Sequence, residues 1–195
     1  MNDYEYLLRQ LDLLIGFLDV SSEAVYDQIK YHNQFEMGMT IEHLYENNYD
    51  NYSNHITISA LLLGFTHFED FISKAIVKIL IAYPDKNELK VSLKVIIERG
   101  DTLVRSLAEE QSRRLTFSDK LKLIEKTLSN VDTDVIAELK DINDIRNCLM
   151  HNNDLADKRL TSKYKEGERI IFGASDVHNY GLRARSLAGQ IWDSI

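Results

Sequence analysis

A single proline, Pro84, interrupts 195 residues, and only eight glycines accompany it. Proline and glycine are the residues that break helices and shape turns, so a chain poor in both has few places to reverse direction. A β-rich fold of this length would need more of them. Leu, Ile, Lys, Glu and Asp are abundant instead, which points to long uninterrupted helices and an all-α, up-and-down helical bundle. With 44% hydrophobic residues, the chain is long enough for one well-buried core and short for two, so residues 1–195 read as one helical domain.

Apolar residues recur every three or four positions along most of the chain. A first helix is expected over 4–18, where Leu7, Leu11, Leu14 and Leu18 share a face. Ser21 or Ser22 offers an N-cap for a second helix through Ile29, Phe35 and Leu44, and the polar run Asn47 to Asn54 has the composition of a loop. A long helix over 56–82 carries Leu61, Phe65, Phe68, Ile72, Ile76 and Ile79 on one stripe and ends at Pro84. A shorter helix over 88–98 is broken by Gly100. Thr116 to Asp119 is a start signal for the next helix. After a loop at 129–133 comes a helix with the stripe Val135, Ile136, Leu139, Ile142, Ile145 and Leu149, expected to fray after His151. Residues 164–172 read as a turn and a short extended piece forming a small hairpin. Ser175 would then cap a last helix through Val177, Leu182, Leu187 and Ile191.

Cys148 is the only cysteine, so no intramolecular disulfide is available. The first residues, Met-Asn-Asp-Tyr-Glu, lack a basic segment leading into an apolar stretch. Residues 56–83, the most apolar region, carry His67, Glu69, Asp70, Lys74 and Lys78, which excludes a membrane span. A cytoplasmic protein is the expectation. The net charge of -8 is unevenly spread: residues 1–50 hold 2 basic and 10 acidic side chains, residues 51–139 hold 12 and 13, and residues 140–195 hold 9 and 8. The excess therefore sits in the first fifty residues. The last third is near neutral, with a basic cluster at Lys158, Arg159, Lys163, Lys165 and Arg169, so a polyanion is electrostatically allowed there.

The chemistry concentrates in Arg146-Asn147-Cys148-Leu149-Met150-His151-Asn152-Asn153. Arginine is a permanent cation whose planar fork fits phosphate, and histidine trades protons near neutral pH. At about 100° per residue, Asn147 and His151 lie within roughly 40° of each other, whereas Arg146 and His151 are about 140° apart. Asn147 and His151 share a face. Arg146 falls on the core stripe, where an unpaired guanidinium is costly. Glu69 occupies the apolar stripe of the long helix, four residues after Phe65, and is expected to pair with Arg146.

This R-N-x-x-x-H string near the end of a helix in a small all-helical chain resembles the signature of the HEPN superfamily. The segment Phe65-Thr66-His67-Phe68-Glu69-Asp70-Phe71 likewise resembles the aromatic-plus-acid segment upstream of that motif in several branches. The resemblance implies a four-helix core with additional helices. It also implies a metal-independent endoribonuclease of the toxin or antiviral defence type. In that scheme His151 takes the proton from a ribose 2′-OH and Arg146 stabilises the charge growing on the phosphate. Asn147 orients His151 or contacts the phosphate, with Glu69 and Asn152 in support. The products would carry 2′,3′-cyclic phosphate and 5′-hydroxyl ends. RNA is the implied substrate, with no cofactor and no metal. Because Arg146 and His151 diverge, a two-fold homodimer with a composite site near residues 146–153 is expected, and an antitoxin or regulatory partner fits the same setting. Where the branch paired with small nucleotidyltransferases carries a Tyr shortly after the His, this chain has Asn152 and Asn153.

Two other readings stand beside it. One is a catalytically silent HEPN-like dimer that binds RNA, a nucleotide or a protein partner through the same cleft. The other is a scaffolding or antitoxin-like helical protein whose acidic first fifty residues engage a basic partner. Metal-ligand spacings, a glycine-rich phosphate loop and a nucleophile elbow are not found. Tyr45, Tyr49 and Tyr52, along with the remaining histidines, read as surface or structural, and Cys148 as small core filler.

Overall fold

The computed structural model describes residues 2–32, 40–84, 93–152, 155–160 and 163–195, with side chains described at 2–21, 56–84, 100, 102–152, 155–160 and 163–195. Among these, six α-helices follow one another: α1 (Asp3–His32), α2 (Thr40–Ala82), α3 (Leu93–Arg114), α4 (Phe117–Thr127), α5 (Thr133–His151) and α6 (Ala174–Trp192). A 3-10 turn, Lys158–Leu160, lies between the last two. The fold is an all-α bundle, as the scarcity of proline and glycine predicts.

Helix α2 is the central element and packs against α1, α3, α4, α5 and α6. Its stripe Leu61, Phe65, Phe68, Ile72, Ile76 and Ile79 is fully buried. Facing it are Leu7, Leu11, Leu14 and Leu18 of α1, Leu121 and Ile124 of α4, Val135, Ile136, Leu139, Ile145 and Leu149 of α5, and Val177, Tyr180, Ala184, Leu187 and Ile191 of α6. Phe65 and Phe68 meet the Phe117 and Tyr180 rings at centroid distances of 4.7–6.2 Å, a span in which tilted and offset aromatic pairs attract. No described helix is long and apolar enough to cross a membrane.

The caps are local and largely as the sequence implies. Asn2 and Glu5 close α1 reciprocally, with the Glu5 amide donating to Asn2 Oδ1 at 2.8 Å and the Asn2 amide to Glu5 Oε2 at 3.1 Å. Thr116 Oγ1 accepts from the Asp119 amide at 3.2 Å, starting α4, and Asp132 Oδ1 accepts from the Asp134 amide at 2.9 Å, starting α5. Helix α2 ends at Ala82, two residues before Pro84. Gly100 takes φ 64° and ψ -166°, so α3 kinks there, in a region of backbone space open to glycine alone.

Several expectations fail. Helix α1 runs through Ser21 and Ser22 to His32 without a break. The polar run Asn47–Asn54 is helical, the early part of α2. It holds neither glycine nor proline, and asparagine, tyrosine and serine disfavour a helix by only a few tenths of a kcal/mol each (~0.5). The second helix expected through Ile29 and Leu44 has Ile29 on α1 and Leu44 on α2, and its Phe35 lies outside the described residues. The start of the shorter helix at Glu88 lies outside the described residues. Helix α6 is entered from Gly173, whose amide donates to Asp176 Oδ2 at 2.8 Å, and not from Ser175. Leu182 is exposed, and Tyr180, Gly181 and Ala184 take the core-facing positions.

The hairpin at 164–172 does not form. An isolated antiparallel bridge joins Arg169 to Leu155, flanked by the Ala156 amide donating to Glu168 O and the Gly167 amide to Ala156 O, both at 2.8 Å. The extended piece finds its partner in the segment leaving α5. Gly167, at φ 80°, makes the turn, and Ile170 and Phe172 then enter the core while Ile171 faces outward.

Candidate functional site

The last two turns of α5 hold the motif. Its backbone ends at Asn152, whose amide donates to the Cys148 carbonyl at 2.9 Å. His151 is exposed, its side chain making no hydrogen bond or ion pair to any described residue, and Met150 beside it is 48% exposed. Asn147 is half-buried and accepts from Arg146 Nη1 at 3.2 Å. Cys148 is fully buried, as its reading as core filler requires.

Arg146 is half-buried and does not pair with Glu69. Its guanidinium carbon lies 5.1 Å from the centre of the Phe65 ring, close enough for cation–π attraction. Nε is buried without a hydrogen-bond partner. Phe65 is four residues before Glu69, so the guanidinium comes to rest on the ring one helical turn short of the carboxylate. Glu69 is half-buried, and its charge acts instead on Lys120 and on the Tyr180 hydroxyl. That hydroxyl is also buried without a partner, and burial drives its proton affinity well up, Glu69 adding to the effect and Arg146 opposing it.

At Asn152, where α5 ends, a second polar group gathers. Asn152 Nδ2 donates to Asp157 Oδ2 at 3.0 Å. Arg159 Nε reaches both Asp157 oxygens at 3.0 Å, and Nη2 reaches Oδ2 at 2.6 Å. Side-chain hydrogen bonds from Arg159 hold the Asp157 carboxyl well below the usual carboxylate range. Asp144, half-buried on α5, moves the other way: burial raises its proton affinity, Asp141 and Asp157 add to the rise, and Arg159 opposes it. Asp144 precedes His151 by seven residues, so the two lie about 20° apart on one helix face, roughly 10 Å along the axis. Sequence reasoning passed over Asp144, although that spacing was available to find it. Asp157 carried no sequence signal.

Two members of the basic cluster after the motif are matched by acids. Arg159 pairs with Asp157, and Lys163 Nζ lies 2.8 Å from Asp141 Oδ2. His67 is half-buried, edge-on to Tyr6 at 6.0 Å, and His178 is exposed. Tyr45, Tyr49 and Tyr52, with His32, His43 and His55, lie where side chains are not described. Among the described residues no group of three or more His, Cys, Asp or Glu side chains converges where a metal ion could be held.

The chain matches no protein-family model, no curated protein and no solved structure.

Proposed function

We propose that this chain is a HEPN-type endoribonuclease that cleaves RNA without a metal, acting as a toxin or antiviral defence effector. The observation that carries the reading is the R-N-x-x-x-H string at the end of α5, with the His151 side chain exposed and without a partner among the described residues. An exposed imidazole can accept a 2′-OH proton from a substrate lying across the helix end. Asn147 shares its face and already holds one arm of the Arg146 fork, so a phosphate near Asn147 meets a cation whose charge is fixed. Asn152, tied to Asp157, fixes the chain just beyond the histidine. A two-fold homodimer joining two such helix ends would place two Arg and two His around one cleft. The exposure of Met150 beside His151 suits a contact at that end.

The second reading is a catalytically silent HEPN-like dimer that binds RNA, a nucleotide or a protein partner. It is favoured by the position of Arg146 over Phe65, on the core side of the helix and away from the His151 face.

The deciding experiment incubates purified wild type and His151→Ala with total cellular RNA in excess EDTA and analyses the ends of any fragments. Cleavage by wild type alone, leaving 2′,3′-cyclic phosphates, is expected. Folded, dimeric wild type that leaves RNA intact, or equal cleavage by both proteins, would overturn the ribonuclease reading.

A further inference from the structure

A lysine and a serine meet where α4 packs against α2. Lys120, on α4, is 6% exposed, and its Nζ donates to Ser73 Oγ of α2 at 2.8 Å. Ser73 lines a cleft of about 550 Å³ bounded by α2, α3 and the start of α1, a size suited to a small molecule. Ser112 of α3 lines the same cleft and donates to the Ser73 carbonyl at 3.0 Å, fixing the backbone there. Val77 and Ile81 give the cleft apolar surface, while its charged lining is mixed, Arg105 pairing with Glu109 and Lys74 with Asp3 and Asp70.

We propose that Ser73 and Lys120 form a nucleophile–base dyad that hydrolyses small carboxylic esters in this cleft. The arrangement meets the geometric requirement for an activated serine, a base within hydrogen-bond reach of the hydroxyl, with the base held by its surroundings. A buried amine is driven toward its neutral form, and burial lowers the proton affinity of Lys120 while the Glu69 charge partly restores it. At rest the Ser73 hydroxyl donates to the Glu69 carbonyl at 2.7 Å, the ordinary back-bond of a helical serine. Attack requires that proton to turn to Nζ.

In the reaction Ser73 Oγ bonds to the ester carbonyl carbon as its proton passes to Lys120 Nζ. The ester C–O bond then breaks, and the alcohol leaves with the proton from Lys120. A water molecule repeats the sequence on the acyl-serine, Lys120 taking its proton and returning it to Ser73 Oγ as the carboxylic acid departs. The dyad uses α2 and α4 and is independent of the ribonuclease reading.

The test is a fluorophosphonate probe on the full chain, followed by intact mass and peptide mapping. Ser73 attack on phosphorus forms the P–O bond and expels fluoride, the serine proton passing to Lys120. One adduct per chain on Ser73 is expected, absent from Ser73→Ala. Lys120→Met and Lys120→Arg should label on the order of a hundredfold more slowly, because neither supplies a neutral amine. Folded wild type that takes no label, a label on another residue, or equal rates in wild type and the Lys120 variants would overturn the proposal. Because the first two outcomes are read on wild type, they do not depend on any variant folding.

Discussion

The guanidinium of Arg146 stacks on Phe65 at 5.1 Å and leaves Nε buried without a partner. A desolvated cation–π contact contributes about 2 kcal/mol, set against the cost of an uncompensated donor. Arg146→Met keeps a long stem on the ring and removes that donor. Its stability should stay within about 1 kcal/mol of wild type or exceed it. Phe65→Leu, losing both the ring contacts and the cation–π attraction, should cost about 1–3 kcal/mol. Urea denaturation of the two variants checks both, and a loss in Arg146→Met as large as in Phe65→Leu would contradict this account.

Tyr180 presents a related case, because its buried hydroxyl has no hydrogen-bond partner while its ring packs against Phe65 and Phe68. Tyr180→Phe keeps the packing and deletes the orphan group, so a gain of up to about 1 kcal/mol is expected. Thermal unfolding measures it; a marked drop in Tm would mean the hydroxyl is satisfied.

Asp144 and Asp157 should have opposite effects on stability as pH changes. The proton affinity of Asp157 is depressed in the fold, so its contribution is present above the unfolded carboxylate value of about 4 and disappears as pH falls below it. Asp144 has a raised proton affinity, so its destabilising effect is absent below about 4, grows as pH rises from there toward its folded value and is complete above it. Asp157→Asn should therefore lower Tm at neutral pH, and Asp144→Asn should raise it. Both should converge on wild type in acid. Melting curves across pH read the two signs separately.

Gly64 sits where α1 crosses α2. A Cβ there would stand 2.6 Å from Leu14 Cδ2, nearer than packed carbons come, so Gly64→Ala should cost about 1–3 kcal/mol. Because the obstacle is the end of one side chain, Leu14→Ala should absorb most of it. The double variant should then lie close to Leu14→Ala alone, a coupling of about 1 kcal/mol or more in a double-mutant cycle. Strict additivity would place the conflict elsewhere.

Much of this architecture follows from the residues themselves, because helix periodicity and capping are local. The buried stripes of α1, α2 and α5, the Thr116 cap, the end at Pro84 and the kink at Gly100 each depend on neighbours a few positions away. Even the core-side position of Arg146 could be read from its register with Ile142 and Leu149. Local composition misled at Asn47–Asn54, where polarity alone suggested a loop, and at 164–172, where an extended segment looked ready to pair with itself.

What only the tertiary structure decided is which groups meet across helices. Register gives the face a side chain occupies but not the axial offset between two helices, and one turn of offset separates Phe65 from Glu69 as the group beneath Arg146. The offset of α4 against α2 brings Lys120 to Ser73 across 47 positions. The path of the chain after α5 carries Asp157 back to Asn152 and Arg159 back to Cys148. Those contacts arise from packing of the whole core, so no window of sequence contains them.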